Sequence, residues 1–365
     1  MKKAYILYAF VLIAINFMIK TSFQSYTLKF KFEAGTSRGV LTEKKNYFIK
    51  LSDEQNRVGI GEVNVLKGLS IDDREDLEDN LKLILKQLEQ NQLDEQLLKQ
   101  FPSIRFAIET AQKDLQNGGK RIIYSTDFAE GKAKIPINGL IWMGTKDFML
   151  KQVTKKIAEG FRCLKMKIGA IDFEQELSIL RAIRQEFSEK EMILRVDANG
   201  AFNPDEALEY LQRLSEYHIH SIEQPIRPRQ YEQMAWLCEK SPIPIALDEE
   251  LIGLQEDVAK KELLDTLKPA YIILKPALLG GFVQSETWIR LAEQNKIGWW
   301  VTSALESNVG LNAIAQWTSH LPYQGHQGLG TGQLYTNNIN SPLEVKKGYL
   351  QYNHENNWDL ERLNF

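Results

Sequence analysis

The chain has 365 residues, 43% hydrophobic and 25% charged, with a formal net charge of −3. That length exceeds one small domain and fits a barrel of about 250 residues plus roughly 100 more, while the near-balanced charge offers no basic excess for a phosphate backbone, so nucleic acid is not an expected partner. Cys163 and Cys238 are the only cysteines and no C-x-x-C spacing occurs, so neither a disulfide framework nor a cysteine zinc site is expected. At the N-terminus, Lys2 and Lys3 precede an apolar run over residues 4–19. A helix of this length spans about 24 Å, short of a hydrocarbon core of about 30 Å. One reading is an export signal or membrane anchor. The other, preferred because Asn16 interrupts the run and no small-residue cleavage site follows, makes residues 1–17 an extension before a true start at Met18. A cytoplasmic location goes with it.

From Ser25 to Leu51 aromatic and aliphatic residues alternate, Tyr26, Leu28, Phe30 and Phe32 and then Tyr47, Ile49 and Leu51, which predicts antiparallel strands around the loop Gly35–Gly39. A helical stretch is expected from about Ile71 to Gln100. A second helix opens at Pro102-Ser103, with the stripe Ile104, Ala107, Ile108, Ala111 and Leu115. Strands followed by helices make residues 18–130 an α+β unit. From Ile135 short apolar runs alternate with amphipathic helices. The strand candidates are Ile135–Leu140, Cys163–Ile168, Met192–Ala198, His220–Glu223, Ile243–Leu247, Tyr271–Lys275 and Gly298–Ser303, with an eighth expected near Gly325–Leu329. Asn203 reads as an N-cap before Pro204, and the helix after Asp172 carries Phe173, Leu177 and Leu180. A repeat of about 25 to 30 residues is the size of one βα unit, and no G-x-G-x-x-G loop supports an open doubly wound sheet. The fold class is therefore α/β, a (β/α)8 TIM-type barrel over residues 131–335 with an α+β domain before it; residues 336–365 are expected to return to that first domain.

Buried parallel strands should be apolar along their length. Here successive runs end in charge: Lys165-Met166-Lys167, Arg195-Val196-Asp197, Ile222-Glu223, Ala246-Leu247-Asp248 and Ile273-Leu274-Lys275. In a parallel barrel all strand C-termini face one opening, where active sites are built. Three carboxylates converging there need a cation between them. All-oxygen ligands favour a hard ion, Mg2+ with Mn2+ possible, over Zn2+. A substrate carboxylate beside such an ion becomes more acidic at its α-carbon, and a lysine whose pKa is drawn down from about 10.4 by neighbouring cations can take the proton. Lys165 and Lys167, two apart on a strand, share a face. Lys275 comes from four strands further round, across the opening.

The ordered series K-x-K, D, E, D, K resembles the enolase superfamily, in its muconate-lactonizing-enzyme subgroup, over nearly the whole chain after Met18. The resemblance implies a modified barrel under a capping domain, a small-molecule carboxylate substrate and no protein partner. It implies Asp197, Glu223 and Asp248 as ligands of Mg2+, Lys167 as the base on one face, Lys275 on the other, and Lys165 as a group that holds substrate and depresses the pKa of its neighbour. A His-Asp base in place of Lys275 would have pointed to the mandelate-racemase subgroup. Further stretches, Thr36–Thr42, Pro136–Trp142, Ser303–Ser307 and Gly328–Leu334, resemble the branch that dehydrates a ring carboxylate to an aromatic acid. Dipeptide epimerases of the subgroup carry an Asp-x-Asp pair near the eighth strand, where this chain has Gly328-Leu329-Gly330, although many relatives have Asp at the position of Gly330. Arg38 on a capping loop, Ser303 and Gly328 are the candidate substrate contacts. Racemisation of N-acylamino acids or dipeptide epimerisation is the alternative at the same site, and a non-catalytic membrane-tethered binding protein is the alternative of another class.

Overall fold

The computed structural model describes residues 19–36, 39–322, 325–363 and 365. The extension 1–17, Met18 and Arg38 lie outside them, as does the apolar run apart from Ile19. Among the described residues no helix is long and apolar enough to cross a membrane.

Strands β1 (Lys20–Thr36), β2 (Gly39–Ser52) and β3 (Val58–Val63) form an antiparallel sheet in that order. The central strand β2 is buried on both faces. Tyr47, Ile49 and Leu51 pack against helices, and Phe48 packs on the other face against Ile60, Val309 and Ile339. Three helices come next: α1 (Leu77–Glu89), α2 (Glu95–Lys99) and α3 (Pro102–Gln116). The single helical stretch expected from Ile71 to Gln100 is interrupted. Asn91 takes the left-handed φ of 53°, and Asp94 restarts the helix by accepting from the backbone N–H groups of Gln96 and Leu97. Strand β3, which the periodicity did not announce, lies flush on α3. A Cβ at Gly59 would stand 1.9 Å from the Ala111 carbonyl oxygen, and one at Gly61 2.0 Å from that of Ala107.

The expected strand Ile135–Leu140 divides into β4 (Lys134–Pro136) and β5 (Gly139–Ile141). The chain changes sheets at Ile137, whose N–H reaches Gly348, while the next N–H, that of Asn138, reaches Gln327. After β5 come α4 (Lys146–Ala158), β6 (Cys163–Lys167), α5 (Phe173–Glu186), β7 (Ile193–Asp197), α6 (Pro204–Ser215), β8 (Ser221–Glu223), α7 (Tyr231–Lys240), β9 (Ile245–Leu247), α8 (Asp257–Leu267), β10 (Tyr271–Leu274), α9 (Pro276–Leu279), α10 (Gly281–Gln294), β11 (Gly298–Val301) and α11 (Asn308–His320). Strands β5 to β11 form one seven-stranded sheet in sequence order, parallel throughout. At the eighth position two parallel bridges, Thr302 with Gly328 and Ile137 with Gln327, close the barrel in place of a full strand. Local signals hold at the helix starts: the side chains of Asp172 and Asn203 accept from backbone N–H groups at the first turns of α5 and α6. Last, β12 (Leu343–Lys346) pairs with β13 (Tyr349–Tyr352), which pairs with β4, whereas Asn337 and Ile339 lie against the β1–β2–β3 sheet.

The two parts meet through buried glutamates at helix starts. Glu62 of β3 accepts from Ser307 N (2.8 Å), Ser307 Oγ (2.5 Å) and Gly310 N (2.8 Å), capping α11 from the other side of the junction. Glu109 of α3 accepts from Phe282 N (2.6 Å) at the start of α10. Both carboxyls meet orphan N–H groups and the positive end of a helix dipole.

Glu62→Ala leaves several buried donors without an acceptor, so thermal unfolding should report a loss of about 3 kcal/mol or more, and an unchanged melting temperature would remove Glu62 from the junction. Burial pushes the Glu109 carboxyl up to about 7, against the Phe282 N–H and Arg105. Its raised pKa means the folded state holds the proton in preference, so its stabilising contribution is complete below about 4.5 and is lost as pH rises through about 7. Glu109→Gln keeps the acceptor and never ionises. Its stability relative to wild type should therefore increase between about pH 5 and 8, by on the order of 1–3 kcal/mol; melts showing a constant difference across that range would contradict the assignment.

Candidate active site

Strand alternation decides which side chains face the barrel interior. On β6, Leu164 and Met166 join the core between strands and helices, leaving Lys165 and Lys167 to point inward. The register then carries the charge sideways: Lys167 is level with Asp197, and Asp197 with Glu223. Asp248 and Lys275 stand one residue beyond β9 and β10. Each thus sits at the C-terminal mouth, and Lys275 lies four strand positions from Lys167 in the order of the sheet, half the circumference of an eight-position barrel.

The charges are buried and interlocked. Asp197 is 0% exposed, Glu223 2% and Asp248 2%. Lys165 Nζ bridges Asp197 Oδ2 (2.9 Å) and Glu223 Oε2. Lys167 Nζ lies 3.1 Å from Asp197 Oδ2 and also bonds Asn199 Oδ1, and Lys275 Nζ bonds Asp248 Oδ2. Burial alone would raise the Asp197 carboxyl, but Lys165 and Lys167 hold it well below the ordinary range. Glu223 is pushed up by burial and by its neighbours Asp197 and Asp248. Lys165 and Lys275 are held above the ordinary lysine range. Burial lowers both, but the carboxylates they touch outweigh it and raise them.

Among the described residues no group of three or more His, Cys, Asp and Glu is spaced as it stands to hold a metal ion. The reason is visible in the contacts: the ammonium groups of Lys165 and Lys275 lie on the carboxylate oxygens. The donor set nonetheless fits a divalent cation. It is all oxygen, it comes from the ends of three adjacent strands, and Glu223 Oε1 is buried with no hydrogen-bond partner.

These groups form the floor of a cavity of about 1350 Å³. Lys165, Lys167, Asp197 and Lys275 line it, and Glu223 and Asp248 lie behind the lysines that cover them. Phe32, Val40 and Leu41 of the β1–β2 hairpin form one wall, with Trp142 and Phe148 beside them. Ser303 and Gly328 also line the cavity. The Ser303 hydroxyl donates to Glu306 Oε2 at 2.5 Å. Gly328 accepts from the Ser303 N–H (3.0 Å), and a Cβ there would fall 1.5 Å from Thr302 Oγ1, so only glycine fits this closing position. Arg38 lies outside the described residues.

The sequence reading missed two members of the floor. Asn199 bends back beside Lys167 with φ 44° and donates through Nδ2 to Glu249 Oε1 at 3.1 Å. Burial, followed by its neighbour Asp248, pushes the Glu249 carboxyl up. The signals were available: Asn199 precedes Gly200 just after a strand-end acid, and Glu249 is the middle of the three consecutive acids Asp248, Glu249 and Glu250.

Residues 149–355 match the family described as Enolase C-terminal domain-like. The chain is 47% identical to o-succinylbenzoate synthase of Desulfotalea psychrophila, over 91% of this chain and 98% of that protein. The crystal structure of MenC from the same organism superposes with a TM-score of 0.79 at 43% identity, covering 91% of this chain and 99% of that one. A dipeptide epimerase from Enterococcus faecalis, complexed with Mg and the dipeptide L-Leu-L-Tyr, shares the fold at 20% identity and a TM-score of 0.78, covering 92% of this chain and 97% of that one. Together with a barrel mouth built from the K-x-K, D, E, D, K series, these matches establish that the chain belongs to the enolase superfamily, in the family of the Desulfotalea o-succinylbenzoate synthase.

Proposed function

We propose that the chain is an o-succinylbenzoate synthase: it dehydrates 2-succinyl-6-hydroxy-2,4-cyclohexadiene-1-carboxylate to 2-succinylbenzoate, a step toward menaquinone, and does so in the cytoplasm. The observation that carries the reading is the near full-length, 47% identity to an enzyme of that activity. Two lysines lining one cavity from opposite sides of a barrel supply the chemistry it requires.

Asp197, Glu223 and Asp248 would hold Mg2+, or Mn2+ in its place, and the ion would supply positive charge that acidifies the α-proton of the ring carboxylate. Lys167 Nζ takes the proton from C1, and the C1–H electron pair passes into the carboxylate as an enediolate. Lys275, on the far side, stabilises that negative charge. The electrons then return to form the aromatic ring, the C6–O bond breaks, and the 6-hydroxyl leaves as water with the proton returned by Lys167. Loss of water on the face of proton removal needs one lysine as base and then acid. Lys165, anchored between Asp197 and Glu223, keeps Lys167 within a field of like charge. Ser303 and Gly328 contact the succinyl arm, with Arg38 closing over it.

A second reading, racemisation of N-acylamino acids, is favoured by the same lysine pair, since bases on both faces are what that reaction needs. Dipeptide epimerisation is disfavoured by the absence of an acid in Gly328-Leu329-Gly330.

Lys167→Ala should lower kcat for dehydration by at least about 10²–10⁴-fold while calorimetry still registers binding of 2-succinylbenzoate; turnover close to wild type would show that another group is the base. Dialysis against EDTA should abolish activity, and added Mg2+ should restore it. Full activity after verified metal removal would rule out the carboxylate site. Side-by-side assays on the cyclohexadiene substrate and on N-succinylamino acids separate the two readings: rapid racemisation without dehydration would replace the first by the second.

A further inference from the structure

Behind the cavity wall a buried polar chain runs from β2 to Ser303. Lys44 of β2 donates to Asn64 Oδ1. Asn64 Nδ2 donates to the Ala304 carbonyl (2.9 Å) and to Glu306 Oε1 (3.2 Å). Glu306 Oε2 takes the hydroxyl proton of Ser303 (2.5 Å), and Ser303 Oγ lies 2.6 Å from Thr331 Oγ1. Glu306 and Asn64 are 0% exposed, Ser303 6% and Lys44 7%. Ser303 and Thr331 line the cavity.

Hydrogen accounting gives this chain a sense of direction. A carboxylate only accepts, and a serine hydroxyl has one proton. With Glu306 ionised, that proton is committed away from the cavity, and Ser303 offers an incoming anion nothing but lone pairs. With Glu306 protonated, the carboxylic acid donates to Ser303 Oγ and frees the serine proton for the cavity. We infer that Glu306 is a positioning residue that sets whether Ser303 donates or accepts toward the substrate, and that the neutral form is the one that binds the anionic succinyl arm. The inference rests on the proposed dicarboxylate substrate. Burial pushes the Glu306 carboxyl up to about 7, against the Ser303 hydroxyl and Lys44. The groups facing it are Lys44 from β2, Glu62 from β3, and Tyr335 from the segment after barrel closure. Lys44 favours the ionised form and Glu62 opposes it, while Tyr335, held well above its ordinary range, stays neutral.

The test follows kcat and KM of the Mg2+-loaded enzyme from about pH 6 to 9, with calorimetric binding of 2-succinylbenzoate in parallel. Wild-type KM should climb with pH, by about tenfold per unit once Glu306 is mostly ionised, with kcat governed separately. In Glu306→Gln, Asn64 holds the amide oxygen, so the amide NH2 faces Ser303 and donates to it at every pH. KM should then stay near the acid-limb value across the range. Lys44→Met withdraws the cation that favours the carboxylate, so the climb should move to higher pH. A Glu306→Gln profile that tracks wild type, a flat wild-type profile, or an unmoved climb in Lys44→Met overturns the inference while turnover keeps the functional reading. Product binding without turnover sinks the functional reading alone, and the affinity profiles then decide the inference. Neither binding nor turnover overturns both.

Discussion

Burying several carboxylates at one mouth requires counter-charge within contact distance, and the arrangement of the site derives from that constraint. Asp197, Glu223 and Asp248 are each at most 2% exposed, on strands that neighbour one another. A buried, unpaired carboxylate is too costly to keep ionised. Lys165 answers for Asp197 and Glu223 together, and Lys275 for Asp248. The lysines are therefore structural counter-ions that also line the cavity. A divalent cation at this donor set would meet the oxygens that the ammonium groups of Lys165 and Lys275 hold.

The cavity is not a property of the barrel alone. Its floor belongs to the strand ends and part of its wall to the β1–β2 hairpin, so the site exists only while the two parts are docked. The docking is polar and buried. Glu62 satisfies the first turn of α11 and Glu109 that of α10, each from the opposite side of the junction. Between them the Lys44–Asn64–Glu306 chain ends at Ser303 in the cavity wall. Contacts that hold the parts together thus reach the cavity wall.

The features legible in the sequence were those that local chemistry or a regular period can report. Charge at the end of an apolar run marked Lys167, Asp197, Glu223, Asp248 and Lys275 as residues of one opening, because a parallel barrel turns all such ends the same way. Asn203 was readable as a cap for the same local reason. The hidden features depend on distant partners or on a single residue. The helix break at Asn91 needs only one left-handed residue. Strand β3 hides its fit to α3 in the missing side chains of Gly59 and Gly61. The eighth barrel position is two residues, too short to make a pattern. Asn199 and Glu249 come from separate loops and acquire meaning only when their side chains meet. Glu62 and Glu306 read as ordinary acids until folding sets them against α11 and Ser303.

The lysine pair by itself does not choose a reaction. Removal of an α-proton to give an enediolate is common to dehydration and racemisation, and the fate of that enediolate depends on whether the bound substrate carries a leaving group beside the new anion. Selectivity must therefore reside in groups that recognise the remote part of the substrate. On the proposed reading, the groups of this cavity placed to do so are the apolar hairpin residues Phe32, Val40 and Leu41 and the Ser303–Thr331 pair. A wall whose hydrogen-bonding sense is set by a buried carboxyl accepts an anionic arm in one protonation state and repels it in the other. On the proposed reading, discrimination among substrates that share the same first chemical step is thus exerted several ångströms from the lysines, by which way the Ser303 proton points.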